Sequence, residues 1–312
     1  QQTQVSTVLD YFGRFLARFP DVAALAAAEQ DEVLGLWSGL GYYSRARNLH
    51  ACARQVMSLH GGAFPRSAEL LATLPGIGRS TAAAIASFCF EEWVAILDGN
   101  VKRVLTRALG FGDDLAVAAH ERRLWDLATD LVPDAPEGSP DPGRSADMPA
   151  YTQGLMDLGA TVCTTRKPAC LLCPLQGTCR ALAEGEPERY PVRTRKLKRR
   201  AESWWLLWPV GPQGEVWLQR RPQKGIWAGL ECLPVFDSEA ALPPSPAGTS
   251  IQALPAFLHV LTHRDLYLHP VQWRCAQADQ PPVPGLEGHW VAAADWPALG
   301  LPTPVRRLLE AQ

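Results

Sequence analysis

Hydrophobic positions recur every three or four residues from Thr3 to about Leu131, and past Arg200 they give way to short apolar runs between turns. In "TVLDYFGRFLARF" Val8, Phe12, Phe15 and Leu16 fall on one stripe, and "DEVLGLWSGL" and "SRARNLHACARQVMSL" repeat the pattern. The first stretch therefore predicts consecutive helices of about 8 to 15 residues, without strand-like alternation. Residues Pro133 to Pro149, "PDAPEGSPDPGRSADMP", break it and predict a loop, after which helical pattern returns in "YTQGLMDLGATV". Beyond, "SWWLLWPV", "EVWLQRR" and "YLHPVQWRCA" read as strands separated by turns such as "GPQG", and "PTPVRRLLEAQ" as a closing helix. The pattern is mainly α first and α+β afterwards.

A chain of 312 residues has room for two domains, each with its own core. The formal charge of -2 supplies no global basic field, so affinity for nucleic acid has to come from local patches and backbone donors. One patch is "RYPVRTRKLKRR", Arg189 to Arg200, with seven basic residues and no acid. It reads as a solvated linker or as a strap passing close to phosphate. No apolar run approaches the ~18 residues of a membrane span, which predicts a soluble intracellular protein. Cys52, Cys89, Cys232 and Cys275 stand alone and read as ordinary buried or half-buried thiols. The other four cysteines fall within 17 residues, and without a secretory context they favour metal binding over disulfides.

Chemistry enters at "LLATLPGIGRSTAAAIASFCF". A helix ends near Leu74, Pro75 and Gly76 turn the chain, Gly78 permits a tight backbone, and Ser80 or Thr81 opens the next helix. This helix-hairpin-helix pattern leaves N–H groups beside a helix N-terminus, where a phosphate finds aligned donors. "ILDGNVKRVLTRAL" then sets Asp98 and Asn100 ahead of an amphipathic helix beginning near Val101. Asp98 reads as a plain N-cap, or as an ionised carboxylate that stabilises positive charge at a deoxyribose C1′ or attacks it transiently. Finally "CTTRKPACLLCPLQGTC" places Cys163, Cys170, Cys173 and Cys179 in a C-x6-C-x2-C-x5-C spacing. Four such thiolates suit a tetrahedral zinc or a [4Fe-4S] cube, and the spacing leaves both open.

Together "LPGIGRSTA", "LDGNVKRVL" and the cysteines resemble the adenine DNA glycosylase (MutY) branch of the helix-hairpin-helix glycosylases, and the resemblance runs from Gln1 into the C-terminal part. It implies a mainly α helix-hairpin-helix glycosylase domain with a [4Fe-4S] cluster loop, followed by an α+β Nudix-like domain. The corresponding segments are 1–182 with the cluster loop at 163–179, a basic linker at 183–200, and 201–312. The resemblance makes Asp98 catalytic, puts Asn100 in the same pocket, and selects the iron–sulfur cluster, which would hold Arg166 and Lys167 toward phosphates. Gly76 and Gly78 would present the hairpin to DNA, and Ser80 and Gln153 would border the adenine pocket. Gln1, Gln2 and Thr3 resemble residues that approach the opposite base, with Gln2 entering the stack. In "GLGYYSRARNL" Tyr42 would wedge beside the mispair, with Arg45 and Arg47 on phosphate.

"QRRPQKGIWAGLECLPVF" resembles the opening of the family's Nudix-like domain, but the Glu-rich magnesium box is missing, so pyrophosphate hydrolysis is not expected. "FLHVLTH" resembles the F-x-H-x-[FL]-[ST]-H loop for 8-oxoguanine, with Thr262 and His263 reading the base and His259 supporting them. Thr262 stands for the more usual serine and keeps the hydroxyl. The family's general acid is a glutamate just ahead of Gln-Gln-Thr, in a segment resembling E-x-M-L-Q-Q-T. Because the sequence opens on the first Gln of that motif, the acid is expected upstream of Gln1 and the chain reads as truncated.

The expected activity is a monofunctional DNA N-glycosylase of base excision repair that removes adenine mispaired with 8-oxoguanine or guanine in duplex DNA. The protein is expected to be a monomer, cytoplasmic and nucleoid-associated through DNA. A thymine or oxidised-pyrimidine glycosylase/lyase would want a Lys nucleophile where Ser80 stands. A noncatalytic mismatch-DNA-binding protein is the alternative that the missing acid suggests and Asp98 opposes.

Overall fold

The computed structural model describes residues 5–133, 145–194 and 199–311. Gln1, Gln2 and Thr3 lie outside the described residues, as do 134–144 of the predicted loop and 195–198 of the basic stretch. The chain packs as two compact units, Gln1–Gly62 with Leu197–Gln312, and Ala63–Lys196.

The first unit opens with α1 (Val5–Arg18), α2 (Val22–Ala27), α3 (Gln30–Trp37) and α4 (Ser44–His60). Asp21 caps α2 by accepting from Ala24 N at 2.7 Å, which satisfies one orphan donor of the first turn. The apolar stripe on α1 is largely exposed: Phe12 and Leu16 are 59% and 44% exposed, and Leu9 is exposed as well. Phe15 alone of the clearly apolar stripe packs against the core, through edge contacts with Phe19 and Trp37. Periodicity records that a face is apolar and says nothing of what meets it.

The second unit holds α5 (Ala68–Leu71), α6 (Arg79–Phe90), α7 (Gly99–Leu109), α8 (Ala118–Asp130), α9 (Met148–Asp157) and α10 (Arg180–Ala183), with a π-turn at Leu158–Val162. Helix lengths run from 4 to 17 residues, a wider spread than the periodicity suggested. The core gathers Leu97, Val101, Leu105, Leu124, Trp125 and Met148. Cys89 is exposed, against the expectation of a buried thiol, whereas Cys52 and Cys232 are buried. The start of the basic stretch is fixed on this unit. Leu115 N donates to Val192 O at 3.1 Å, and Thr194 N to Asp114 Oδ1 at 3.2 Å. Hydrogen bonds from Thr194 and Ala116 hold the Asp114 carboxyl below its ordinary pKa.

The first unit resumes with β1 (Arg200–Val210), β2 (Val216–Arg220), β3 (Glu231–Cys232), β4 (Val235–Phe236), β5 (Ser250–Ala253), β6 (Phe257–Val260), β7 (Arg264–Arg274) and β8 (His289–Val291), and closes on α11 (Thr303–Glu310). The sheet order is β3-β2-β1-β7-β5, with β4 on β1, β6 on β7 and β8 on β2. Strands β1 and β7 are parallel over their full length, and the other described pairs are antiparallel. One sheet face and the helices share a core: Leu206, Leu218, Leu230, Leu266 and Leu268 sit with Val33, Leu34 and Val305. Each such buried aliphatic side chain contributes ~1.5–3 kcal/mol relative to exposure. Polar ties cross the same contact, because Tyr43 Oη and Ser38 Oγ both donate to Leu301 O, at 2.6 and 3.2 Å. Arg220 grips Asp31 with two bonds of 2.7 and 2.6 Å and buried Glu231 at 3.0 Å, and these two carboxylates raise its pKa.

Candidate active site

In the second unit Gly76 sits at φ 77°, a left-handed conformation that glycine adopts without a Cβ penalty, and Ile77 N closes the turn onto Leu74 O at 3.1 Å. Gly78 is the N-cap of α6 and offers no side-chain acceptor, which leaves the first-turn N–H groups without a cap from their own sequence. Neither Ser80 nor Thr81 caps this helix, as the sequence had suggested. Ser80 Oγ instead donates to Leu97 O at 2.8 Å and ties the hairpin helix to the residue before Asp98.

Asp98 is the N-cap of α7, which begins at Gly99. Its Oδ1 accepts from Asn100 N at 2.9 Å and Val101 N at 2.8 Å. These bonds fix the carboxylate at the start of the helix. Asn100 Oδ1 accepts from Arg103 at 2.9 Å, while Arg103 Nε donates to Cys163 O at 2.7 Å and a terminal nitrogen to Gly159 O. Gly159 permits this approach: a Cβ there would lie 2.6 Å from Asn100 Cβ and 2.9 Å from Asn100 O. Burial lowers the Arg103 pKa, while Cys163 and Asp98 oppose that shift. A continuous chain of bonds thus links Asp98, Asn100 and Arg103 to the first cysteine. Gln153, on α9, bonds Asp157 at 2.7 Å at the surface, and no described contact joins it to Asp98.

The four cysteines Cys163, Cys170, Cys173 and Cys179 line one small cavity with Arg107. Arg107 is 2% exposed, and its guanidinium donates to Cys163 Sγ at 3.3 Å, Thr164 O at 2.7 Å, Thr165 O at 3.1 Å and Tyr190 O at 3.2 Å. Burial raises the Cys170 pKa, and the other three thiols add to it by like-charge repulsion. Among the described residues no set of three His, Cys, Asp or Glu side chains stands close enough for a single metal ion. The donor set fits a larger group bound by four thiolates around a central space, with the buried guanidinium offsetting negative charge. Sequence reading overlooked Arg103 and Arg107. Their four-residue spacing on α7, which puts both on one face, was the available signal.

The first unit carries its own site. A cavity of about 510 Å³ is bounded by Tyr42, Arg47, Trp227, His259, Thr262 and His263 among others. Thr262 and His263 are the central residues of the turn between β6 and β7, closed by Leu261 N onto Arg264 O at 2.8 Å. Tyr42 is 53% exposed at φ 47°, and its hydroxyl lies 3.3 Å from Thr262 Oγ1. Arg45 lies over the rings of Trp37 and Tyr42, at 5.3 and 5.5 Å, and burial lowers its pKa. Arg47 donates to Ala228 O at 2.8 Å. Burial, and then the cation of Arg307, lower the His259 pKa.

The family described as HhH-GPD superfamily base excision DNA repair protein matches residues 1–129, and the NUDIX domain family matches 205–311. The class is therefore a helix-hairpin-helix repair protein joined to a Nudix-like domain. An adenine DNA glycosylase of Buchnera aphidicola (from Acyrthosiphon pisum) is 33% identical over 316 residues, covering 99% of this chain and 87% of the relative. The adenine DNA glycosylase of Rattus norvegicus is 48% identical over 182 residues, 58% of this chain and 33% of the relative. A solved thermostable thymine-DNA glycosylase is 27% identical with a TM-score of 0.49, over 59% of this chain and 80% of that one. The chain belongs to the adenine DNA glycosylase family.

Proposed function

We propose that the protein excises adenine opposite 8-oxoguanine or guanine in duplex DNA and leaves an abasic site. The observation that carries this reading is Asp98, a carboxylate fixed by two backbone N–H groups and tied through Leu97 to the hairpin helix. As the glycosidic bond breaks, C1′ becomes oxocarbenium-like, and a preorganised negative charge stabilises it without reorganisation. The hairpin N–H groups hold a phosphate and so fix the sugar against that carboxylate. Departure of the base also needs a proton on the adenine ring, which Asp98 acting as an anion does not supply. Ser80 at the hairpin supplies no amine, so the reaction is hydrolysis without a lyase step. Single-turnover release of adenine from duplexes with A opposite 8-oxoguanine, guanine or thymine tests the reading. Release confined to the first two supports it, and release of thymine, or equal release of adenine from all three, overturns it.

The same reading assigns the cavity around Thr262 to the base opposite adenine. 8-Oxoguanine carries a hydrogen on N7 where guanine presents an acceptor, so a hydroxyl that accepts there separates the two. Tyr42, next to Thr262, would enter beside that base, with flipping of the adenine helped by the weakness of a mispair. Thr262→Ala is expected to cost about 1–2 kcal/mol of preference for 8-oxoguanine over guanine, while Thr262→Ser keeps it, read as the ratio of single-turnover rates.

Cys163, Cys170, Cys173 and Cys179 would hold a [4Fe-4S] cluster, which supplies structure to the Arg166–Lys167 loop and no electron transfer to a hydrolysis. Arg107 orients this loop by bonding Cys163, Thr164 and Thr165 together. Protein prepared under anaerobic conditions is expected to carry about four irons and four sulfides per chain, and Cys173→Ser to lose the broad visible absorbance. Stoichiometric zinc with no sulfide would contradict the assignment.

A further inference from the structure

Trp227 is a bulky residue at φ 57°, a conformation that costs of order 1–3 kcal/mol for such a side chain and survives only where surroundings over-determine it. Here they do. Ala228 O receives Arg47 at 2.8 Å, Leu230 N returns to Trp227 O at 3.1 Å, and Gly229 N reaches both Arg221 O and Pro222 O. The result is an indole that is 8% exposed yet forms a wall of the Thr262 cavity. Its ring meets Trp204 edge-on at 5.4 Å and His259 at 6.0 Å with a 47° tilt, and Arg221 lies over the far ring of Trp204 at 5.3 Å. The imidazole therefore stands at one end of a row of aromatic rings whose other end lies under a guanidinium.

We propose that Trp227 is a positioning residue that sets the preference for 8-oxoguanine over guanine, by holding His259 in one orientation beside Thr262. This rests on the reading of the cavity as the site for the base opposite adenine. A neutral imidazole has one accepting nitrogen, whereas an imidazolium only donates. Guanine N7 welcomes a donor and the N7–H of 8-oxoguanine welcomes an acceptor, so the neutral ring favours the oxidised base. The charged neighbours act in the same direction. Arg307 faces His259 from α11, and Arg47 enters the cavity from α4, while Arg264 at the start of β7 is paired with Glu202 of β1. Tyr42, Tyr43 and His263 are the other titratable groups of the lining, which contains no carboxylate among the described residues. Burial, with Trp227 against the ring, and then the cation of Arg307 hold the His259 pKa below the ordinary histidine value. Removing the indole hydrates the ring, and its pKa rises back toward that value.

The test uses the full chain with duplexes that hold an uncleavable 2′-fluoro-adenosine opposite 8-oxoguanine or guanine. Binding is followed by fluorescence anisotropy from about pH 5.5 to 8, across the range in which histidine titrates. The expected result is a ratio of affinities that falls about tenfold in Trp227→Ala and is largely restored in Trp227→Phe. In Trp227→Ala the remaining preference should weaken as pH drops through about 6.5, and in the parent chain only at lower pH. If Trp227→Ala fails to fold by circular dichroism, Trp227→Leu takes its place, keeping apolar volume without a ring. A variant with the parent's ratio and pH profile overturns the role of Trp227 while leaving the cavity assignment standing. A parent chain with no preference between the two bases overturns the cavity assignment and this role with it.

Discussion

Asp98→Asn is expected to slow adenine release by about 10³-fold or more, the scale seen when a preorganised charge or donor is removed from a reaction centre. The substitution isolates charge from structure. Asparagine caps a helix as well as aspartate, and its Oδ1 can keep the bonds to Asn100 N and Val101 N that start α7. What disappears is the negative charge facing the developing cation. Affinity for the mispair should therefore stay within a small factor while the single-turnover rate collapses, which places the loss in the transition state. Anisotropy on an uncleavable duplex and quenched-flow release on a cleavable one measure the two quantities. Equal turnover in the variant would remove Asp98 from the chemistry.

The second large effect is structural. Arg107→Met is expected to destabilise the second unit by about 3–5 kcal/mol, because it removes a buried guanidinium on which four acceptors converge, the Tyr190 carbonyl in a buried bond and the other three in part-buried ones. Three carbonyls and one sulfur lose donors together, and each buried acceptor left alone costs ~1–3 kcal/mol. Arg107→Lys keeps the charge but cannot reproduce the fork, so its loss should be smaller and still measurable. Urea unfolding of each variant, with iron content followed in parallel, gives the comparison. A methionine variant within 1 kcal/mol or so of the parent would show that the carbonyls find other donors.

How far the sequence foretold these features depends on the kind of feature. The turn at Pro75–Gly78, the cap at Asp98 and the Thr262–His263 turn are local, and the residues that make each turn or cap are neighbours in the sequence. They were legible for that reason. Arg103 and Arg107 were not, although "VKRVLTRAL" puts them on one helical face, because what that face meets lies more than fifty residues onward at Gly159 to Thr165. Trp227 was passed over as one more tryptophan in a tryptophan-rich half, and only its left-handed backbone and the ring of His259 single it out. The stripe on α1 was legible as one apolar face of a helix, but its exposure was not, because periodicity does not say what meets a face. Tertiary partners decided each of these cases.

The first unit is assembled from the two ends of the chain, with Val33 and Leu34 of α3 packed among Leu230, Leu268 and Val305. During synthesis the amino-terminal helices leave the ribosome with those partners not yet made. At ordinary elongation speeds of ~5–20 residues per second, the wait is on the order of ten seconds. Over that interval Ala63–Lys196 is complete as a contiguous segment, while α2 to α4 still display the side chains that will become core. A nascent chain in this state is a natural client for chaperones that shield apolar segments, and a stalled one is a substrate for proteases. Slow codons placed before β1 would lengthen that exposure, and the yield of intact protein should fall with them.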